Sequence, residues 1–274
     1  MDKFRILLLD TKPSDPNHYI CLSILDALKN HPDVEYVYRA SFGDAIKTAR
    51  EMRCNLFLAF CGQGLNFEVC RRLKEICGYA ILWVTEDPYE LHVNLQAVEI
   101  FNRIFTNDSG STFAYGLKGI HLPFAASHAI QYIPVCEDQD CLYDIFFAGT
   151  AWPNRVEIIR KISHLLDGKL RIKLAMPSNE YLPNITNFPY PESFYNWRMS
   201  NIEFANFANK SRITLGLHRD FSAVSDAPTM ALTPGPRVFE VAMAGGFQLI
   251  DASLPEVVNY FEPNSEVALF DTDK

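Results

Sequence analysis

Strand-length apolar runs alternate with amphipathic helical segments twice along this chain, and that alternation constrains the fold more than any other feature. Residues 4–10 (FRILLLD) form a continuous apolar run, as a strand buried on both faces requires. A turn-rich stretch follows, and residues 18–30 then place Ile20, Ile24, Leu25 and Leu28 at helical spacing. The pattern continues with a strand at 34–39, a helix at 41–52, a strand at 55–60 ending in CGQG, a helix at 67–77 and a strand at 79–84. Further short units run to about His121. Repeated units of this length predict a doubly wound parallel sheet.

Residues 122–142 hold prolines and an acidic patch without a sustained period, as an interdomain linker does. The alternation then restarts. A strand at 143–148 (YDIFFA) and the turn Gly149-Thr150 precede a helix at 153–166, with Val156, Ile159, Ile162 and Leu166 on one stripe. A strand at 170–175, a helix at 204–209, a strand at 212–217, a helix at 237–244 and a strand at 247–251 follow. The reading is two Rossmann-like domains, 1–121 and 143–274, facing across a cleft at the carboxyl ends of their strands, where open α/β sheets take ligands. After 255–261 (PEVVNYF) and a strand at 265–270 the chain stops in an acidic turn of the kind that leads into a helix. The second domain is therefore expected to be incomplete, by about 50–100 residues on ordinary domain sizes.

Charge and cysteines exclude several classes. Thirty-three acidic against 25 basic residues give a net charge of −8, which argues against non-specific binding to a nucleic-acid backbone. No apolar run approaches the roughly 20 residues of a transmembrane helix. The start MDKFRILLLDTK is interrupted by Asp10 too early for a signal peptide. Seven cysteines cannot all pair, no CxxC occurs, and Cys136 and Cys141 lack a zinc-pair spacing. These are read as free thiols of a soluble, cytoplasmic protein.

Two elements carry chemistry. Gly149 and Thr150 lie between a strand and a helix with Arg155 in its first turn, and backbone N–H groups beside a guanidinium suit a diphosphate. The plain alternative is a small residue in a tight turn. Residues 233–246 read TPGPRVFEVAMAGG, where Gly235 would admit a ligand close to the backbone and Arg237 and Glu240 share one helix face. The arginine could meet a phosphate and the glutamate the vicinal hydroxyls of a ribose. An intrahelical ion pair on a surface helix explains the same two residues.

Segment 233–251 (TPGPRVFEVAMAGGFQLID) resembles the nucleotide-sugar-binding segment of GT-B glycosyltransferases, and its R-x-F-E-x-x-x-x-G-G-F wording is similar to the CgeB-like glycosyltransferases. Residues 83–91 (WVTEDPYEL), 121–127 (HLPFAAS) and 144–159 (DIFFAGTAWPNRVEII) resemble the same family. The likeness covers most of 80–270. It implies a GT-B fold, a metal-independent hexosyltransferase activity without a cofactor, and a UDP- or GDP-linked sugar as co-substrate. Glu240 would hold the ribose, Arg237 the diphosphate, Gly149, Thr150 and Arg155 the diphosphate side, and His218 would face the donor. The chain departs from the pattern at Leu232, where many retaining members carry a second glutamate. For the base that takes the acceptor's proton, Asp87 in TEDPYE and His18 are the candidates. Asp87 beside Pro88 also suits a helix cap, and His18 a helix start. The acceptor, whether glycan, protein or small molecule, is open. The alternatives are a GT-B-fold sugar-nucleotide epimerase and a non-catalytic nucleotide-sugar or glycan-binding protein of a surface-maturation system.

Overall fold

The run FRILLL forms β1 (Phe4–Leu9), and Ile6, Leu7, Leu8 and Leu9 are all buried, so both faces of the strand are covered. This is a computed structural model, and it describes residues 3–10, 15–166, 169–177, 190, 193–195, 197–222 and 227–271. The chain continues through α1 (His18–Lys29), β2 (Val34–Ala40), α2 (Ala45–Glu51), β3 (Leu56–Phe60), α3 (Phe67–Cys77), β4 (Ala80–Trp83), α4 (Leu91–Asn94), β5 (Arg103–Thr106) and β6 (Gly119–His121). All neighbouring strands are parallel, in the order β2-β1-β3-β4-β5-β6. Helix α3 begins and ends as its residues dictate. Asn66 accepts a hydrogen bond from the Val69 N–H at the start, and Gly78 takes the left-handed conformation at the end.

The chain divides into two compact units at Pro123 and Phe124. The second contains α5 (His128–Gln131), β7 (Tyr143–Ala148), α6 (Pro153–Leu166), β8 (Ile172–Met176), β9 (Phe194–Tyr195), α7 (Asn201–Asn209), β10 (Ser211–Gly216), β11 (Phe221–Ser222), β12 (Ala227–Pro228), α8 (Pro236–Met243), β13 (Gln248–Asp251) and β14 (Ala268–Phe270). Its main sheet runs β14-β13-β10-β7-β8-β9, again with parallel neighbours. Alternation along β7 sorts the core. Ile145 and Phe147 pack with Val156 and Ile159 of α6, whereas Phe146 packs on the other face with Phe204 of α7 and Val241 of α8. Each fully buried side chain of this size contributes about 1.5–3 kcal/mol.

Helix α7 starts three residues earlier than its apolar period indicates. Ser200 and Glu203 form a reciprocal capping box, which extends the helix into a polar stretch. The segment read as a linker, from residue 124 onward, lies in the second unit, where α5 packs on α7 and α8. Residues 255–259 form a 3-10 turn, and 272–274 lie outside the described residues. No helix among the described residues is long and apolar enough to cross a membrane.

Strand order fixes where ligands can enter. In each sheet the connections reverse direction once, between β1 and β3 in the first unit and between β7 and β10 in the second. At such a switch point the loops beyond the carboxyl ends diverge and leave a crevice.

Candidate functional site

Gly149 and Thr150 leave the carboxyl end of β7, and His218 follows β10, so both edges of the second switch point carry residues singled out in the sequence. Arg155, in the first turn of α6, folds back over the glycine, and its Nη1 donates to the Thr150 carbonyl at 3.1 Å. A Cβ on Gly149 would stand 3.1 Å from both Arg155 Nη1 and the Phe147 ring, so glycine makes room for the guanidinium. Asn154, beside Arg155, donates from Nδ2 to the His218 carbonyl at 3.0 Å and ties the two edges together. The His218 ring reaches the end of β13, where Nε2 is 2.9 Å from Ser253 Oγ and Nδ1 is 3.9 Å from Asp251 Oδ2. Burial holds this imidazole below its ordinary pKa, helped by Arg155 and opposed by Asp251 and Asp220.

Arg237 and Glu240 form a second cluster on α8. Glu240 is 1% exposed, and its Oε2 accepts from Arg237 Nη1 at 2.7 Å. The same Nη1 lies 2.7 Å from Asn201 Oδ1, and the guanidinium stacks on Phe204, 4.1 Å from the ring centre. Gln131 Nε2 lies 3.5 Å from Glu240 Oε1. The ion pair expected on a surface helix is therefore present, but its carboxylate is inside the unit while the arginine side chain is 40% exposed. A cavity of about 20 Å³ beside Arg237 is lined by Ala148 and Gly216 at the strand ends and by Phe204, Val238 and Val241. Gly235 caps α8 without a side-chain hydrogen bond, and nothing stands within 4 Å of where its Cβ would be. The preceding loop is anchored by Thr233, whose hydroxyl donates to Glu256 Oε2 at 2.6 Å.

The two base candidates fall in different places. His18 opens α1 beside the first unit's switch point, partly exposed, with Nδ1 3.7 Å from Asp10 Oδ1 at the end of β1. Arg39 Nε holds the other oxygen of Asp10 at 3.3 Å. Across the switch point, Cys61 ends β3 in the left-handed conformation at φ 73°, and burial pushes its thiol up to about 11. Asp87, the other base candidate, lies inside the unit. It follows β4, one strand away from the switch point, and is fully buried. Asn94 donates to its Oδ1 at 2.8 Å, and the hydroxyls of Thr106 and Tyr115 donate to its Oδ2 at 2.7 Å each. Burial still pushes the carboxyl up, and Asp108 adds to that. Nor is it a helix cap, since Glu90 occupies that position for α4. Asp87 is an internal tie, because its carboxylate is enclosed by neutral donors instead of facing a ligand.

Sequence reasoning missed Asn154, Asp251, Ser253 and Gln131. Asp251 had a local signal as a carboxylate ending a strand. Gln131 had none, since its partner lies 109 residues away. Among the described residues, no three His, Cys, Asp or Glu side chains group as a metal site.

Comparison with known proteins bears on this arrangement. Residues 143–274 match a family model described as glycosyl transferase-like. The chain is 22% identical over 178 residues to spore protein CgeB of Bacillus subtilis (strain 168), a match covering 62% of this chain and 55% of that protein. The chain thus spans about half the length of this curated relative. Among solved structures it is similar to AviGT4, a glycosyltransferase involved in avilamycin A biosynthesis, with 15% identity and a TM-score of 0.62 over 99% of this chain and 85% of the other. It is also similar to the UDP-GlcNAc 2-epimerase of Methanocaldococcus jannaschii, with 9% identity and a TM-score of 0.53 over 97% and 88%. At these identities the two structures bear on the fold, two parallel-sheet α/β domains of the GT-B class.

Proposed function

We propose that the chain, whose residues 143–274 match the glycosyl transferase-like family model, moves a hexose from a UDP- or GDP-linked donor to an acceptor hydroxyl. The observation that carries the reading is Glu240. A carboxylate sealed inside the unit is latched by an arginine that itself reaches solvent. A donor diphosphate would draw Arg237 outward, and the carboxylate it leaves is suited to accept bidentate hydrogen bonds from ribose hydroxyls. The N–H groups of Gly149 and Thr150 and the Arg155 guanidinium would meet the diphosphate at the switch point, and His218 would face the donor. Arginines and helix ends, not a metal, would then carry the leaving group's charge. His18, backed by Asp10, would be the acceptor-side base, with Asp87 holding the strand ends in place. A cytoplasmic setting is supported by all seven cysteines being free thiols.

Leu232, standing where many retaining relatives carry a carboxylate, favours one second reading, a nucleotide-sugar-binding protein without turnover. Thermal-shift screening against UDP, GDP and their sugar conjugates tests the proposal, followed by a coupled assay for nucleotide release. Stabilisation by one nucleotide series with slow acceptor-independent release is the expected result. Binding without release supports the second reading, and no stabilisation by any of them contradicts both.

A further inference from the structure

The end of β13 meets the imidazole that follows β10, and the hydrogens between them can be counted. Asp251 Oδ1 accepts from the Ser253 backbone N–H at 3.0 Å and from the Ser253 hydroxyl at 2.8 Å. A hydroxyl has one proton, and a bond to a carboxylate is the stronger use of it. Ser253 Oγ therefore offers a lone pair to His218 Nε2 at 2.9 Å, so Nε2 carries the ring proton. The other nitrogen, Nδ1, is enclosed, has no hydrogen-bond partner among the described residues, and stands 3.9 Å from Asp251 Oδ2. A bare nitrogen facing a carboxylate is an arrangement that one more proton turns from repulsion into attraction.

Burial first, and Arg155 from α6 after it, disfavour imidazolium, whereas Asp251 from β13 and Asp220, in the segment after β10, favour it. Arg219, the chain neighbour of His218, stacks on Trp152 at 4.1 Å. An anion bound against Arg155 would offset the positive charge that opposes protonation.

We propose that binding of a nucleoside diphosphate at the switch point between β7 and β10 is coupled to uptake of one solvent proton by His218, with Asp251 accepting the new Nδ1–H and Ser253 retaining the Nε2–H. The inference rests on the reading of that switch point as the diphosphate site. Ser253 and Asp251 are then positioning residues, since both act through the ring.

Calorimetry of UDP and GDP binding near pH 7.5, in buffers of different ionisation enthalpy, measures the coupling. The expected result is net uptake of about 0.3–1 proton per nucleotide bound by the unmodified protein. Asp251→Asn should reduce that uptake by at least half. In His218→Gln it should fall to whatever the nucleotide's own terminal phosphate contributes. Nucleotide binding without uptake, or uptake in His218→Gln equal to that of the unmodified protein, overturns the inference and leaves the donor reading standing. If neither nucleotide binds, the donor reading fails and takes this inference with it. The comparison of the unmodified protein with His218→Gln decides the matter even if Asp251→Asn does not fold.

Discussion

Asp87 in the first unit and Glu240 in the second are both carboxylates sealed inside an α/β fold, 0% and 1% exposed, and they are held in opposite ways. Asp87 is enclosed by neutral donors set in the frame of the unit, the amide of Asn94 and the hydroxyls of Thr106 and Tyr115. Asn94 is in turn packed so closely that a Cβ on Gly62 would overlap its Oδ1 at 1.7 Å, so glycine is required there. Glu240 pairs with a long cationic side chain that is 40% exposed, with the Gln131 amide 3.5 Å from its other oxygen. Burial of a carboxylate is costly in both cases. A fixed neutral network makes it part of the architecture, whereas an exchangeable cation leaves it ready for another partner. The second arrangement suits a ligand site.

Substitutions sharpen that contrast, beginning with the largest effect. Asp87→Ala removes the acceptor of three buried donors, of which the Thr106 hydroxyl can still reach the Asp108 carbonyl at 3.3 Å. At about 1–3 kcal/mol for each of the other two, urea denaturation should show a loss of at least about 2 kcal/mol. Nucleotide affinity of the folded fraction should be unchanged. A loss below about 1 kcal/mol would make Asp87 something other than a structural tie. In the second unit, Gly149→Ala places a methyl 3.1 Å from Arg155 Nη1 and the Phe147 ring. The guanidinium can swing aside, so stability should change little while nucleotide binding weakens about 3- to 10-fold, within the worth of one charge-assisted hydrogen bond. Unaltered affinity would detach Arg155 from the site.

The smallest effect concerns pH. Because burial lowers the His218 pKa in the folded state, the unfolded chain takes up a proton first as pH falls through about 6.5. Stability from this group is complete above that pH and is lost below it. His218→Gln should flatten this part of the stability profile, and an identical slope in the variant would contradict the assignment.

How much of this the sequence made legible depends on the range of the interaction. Helices α3 and α6 and strand β7 were readable to the residue, because their apolar periods are complete and their ends carry asparagine, glycine or proline. The start of α7 was not, since Ser200 and Glu203 extend it beyond the apolar period. Asp87 was correctly placed at a strand end, but strand order, set by long-range pairing, moves β4 away from the switch point. Residues 122–142 read as an interdomain linker, yet Gln131 meets Glu240 and Asn209 donates to the Pro134 carbonyl at 2.9 Å. The pairing of His218 with Ser253 joins residues 35 apart through two strand ends, and no local pattern announces it.

Removing the Glu240 carboxylate probes the proposed ligand latch on α8. Calorimetry with whichever of UDP or GDP binds the unmodified protein should show affinity weakened by about 1–3 kcal/mol, the cost of losing hydrogen bonds to a charged group. Circular dichroism should show the fold intact. Unchanged nucleotide affinity in a folded Glu240→Ala protein would contradict the account, and the Arg237–Glu240 pair would then be structural, as Asp87 is.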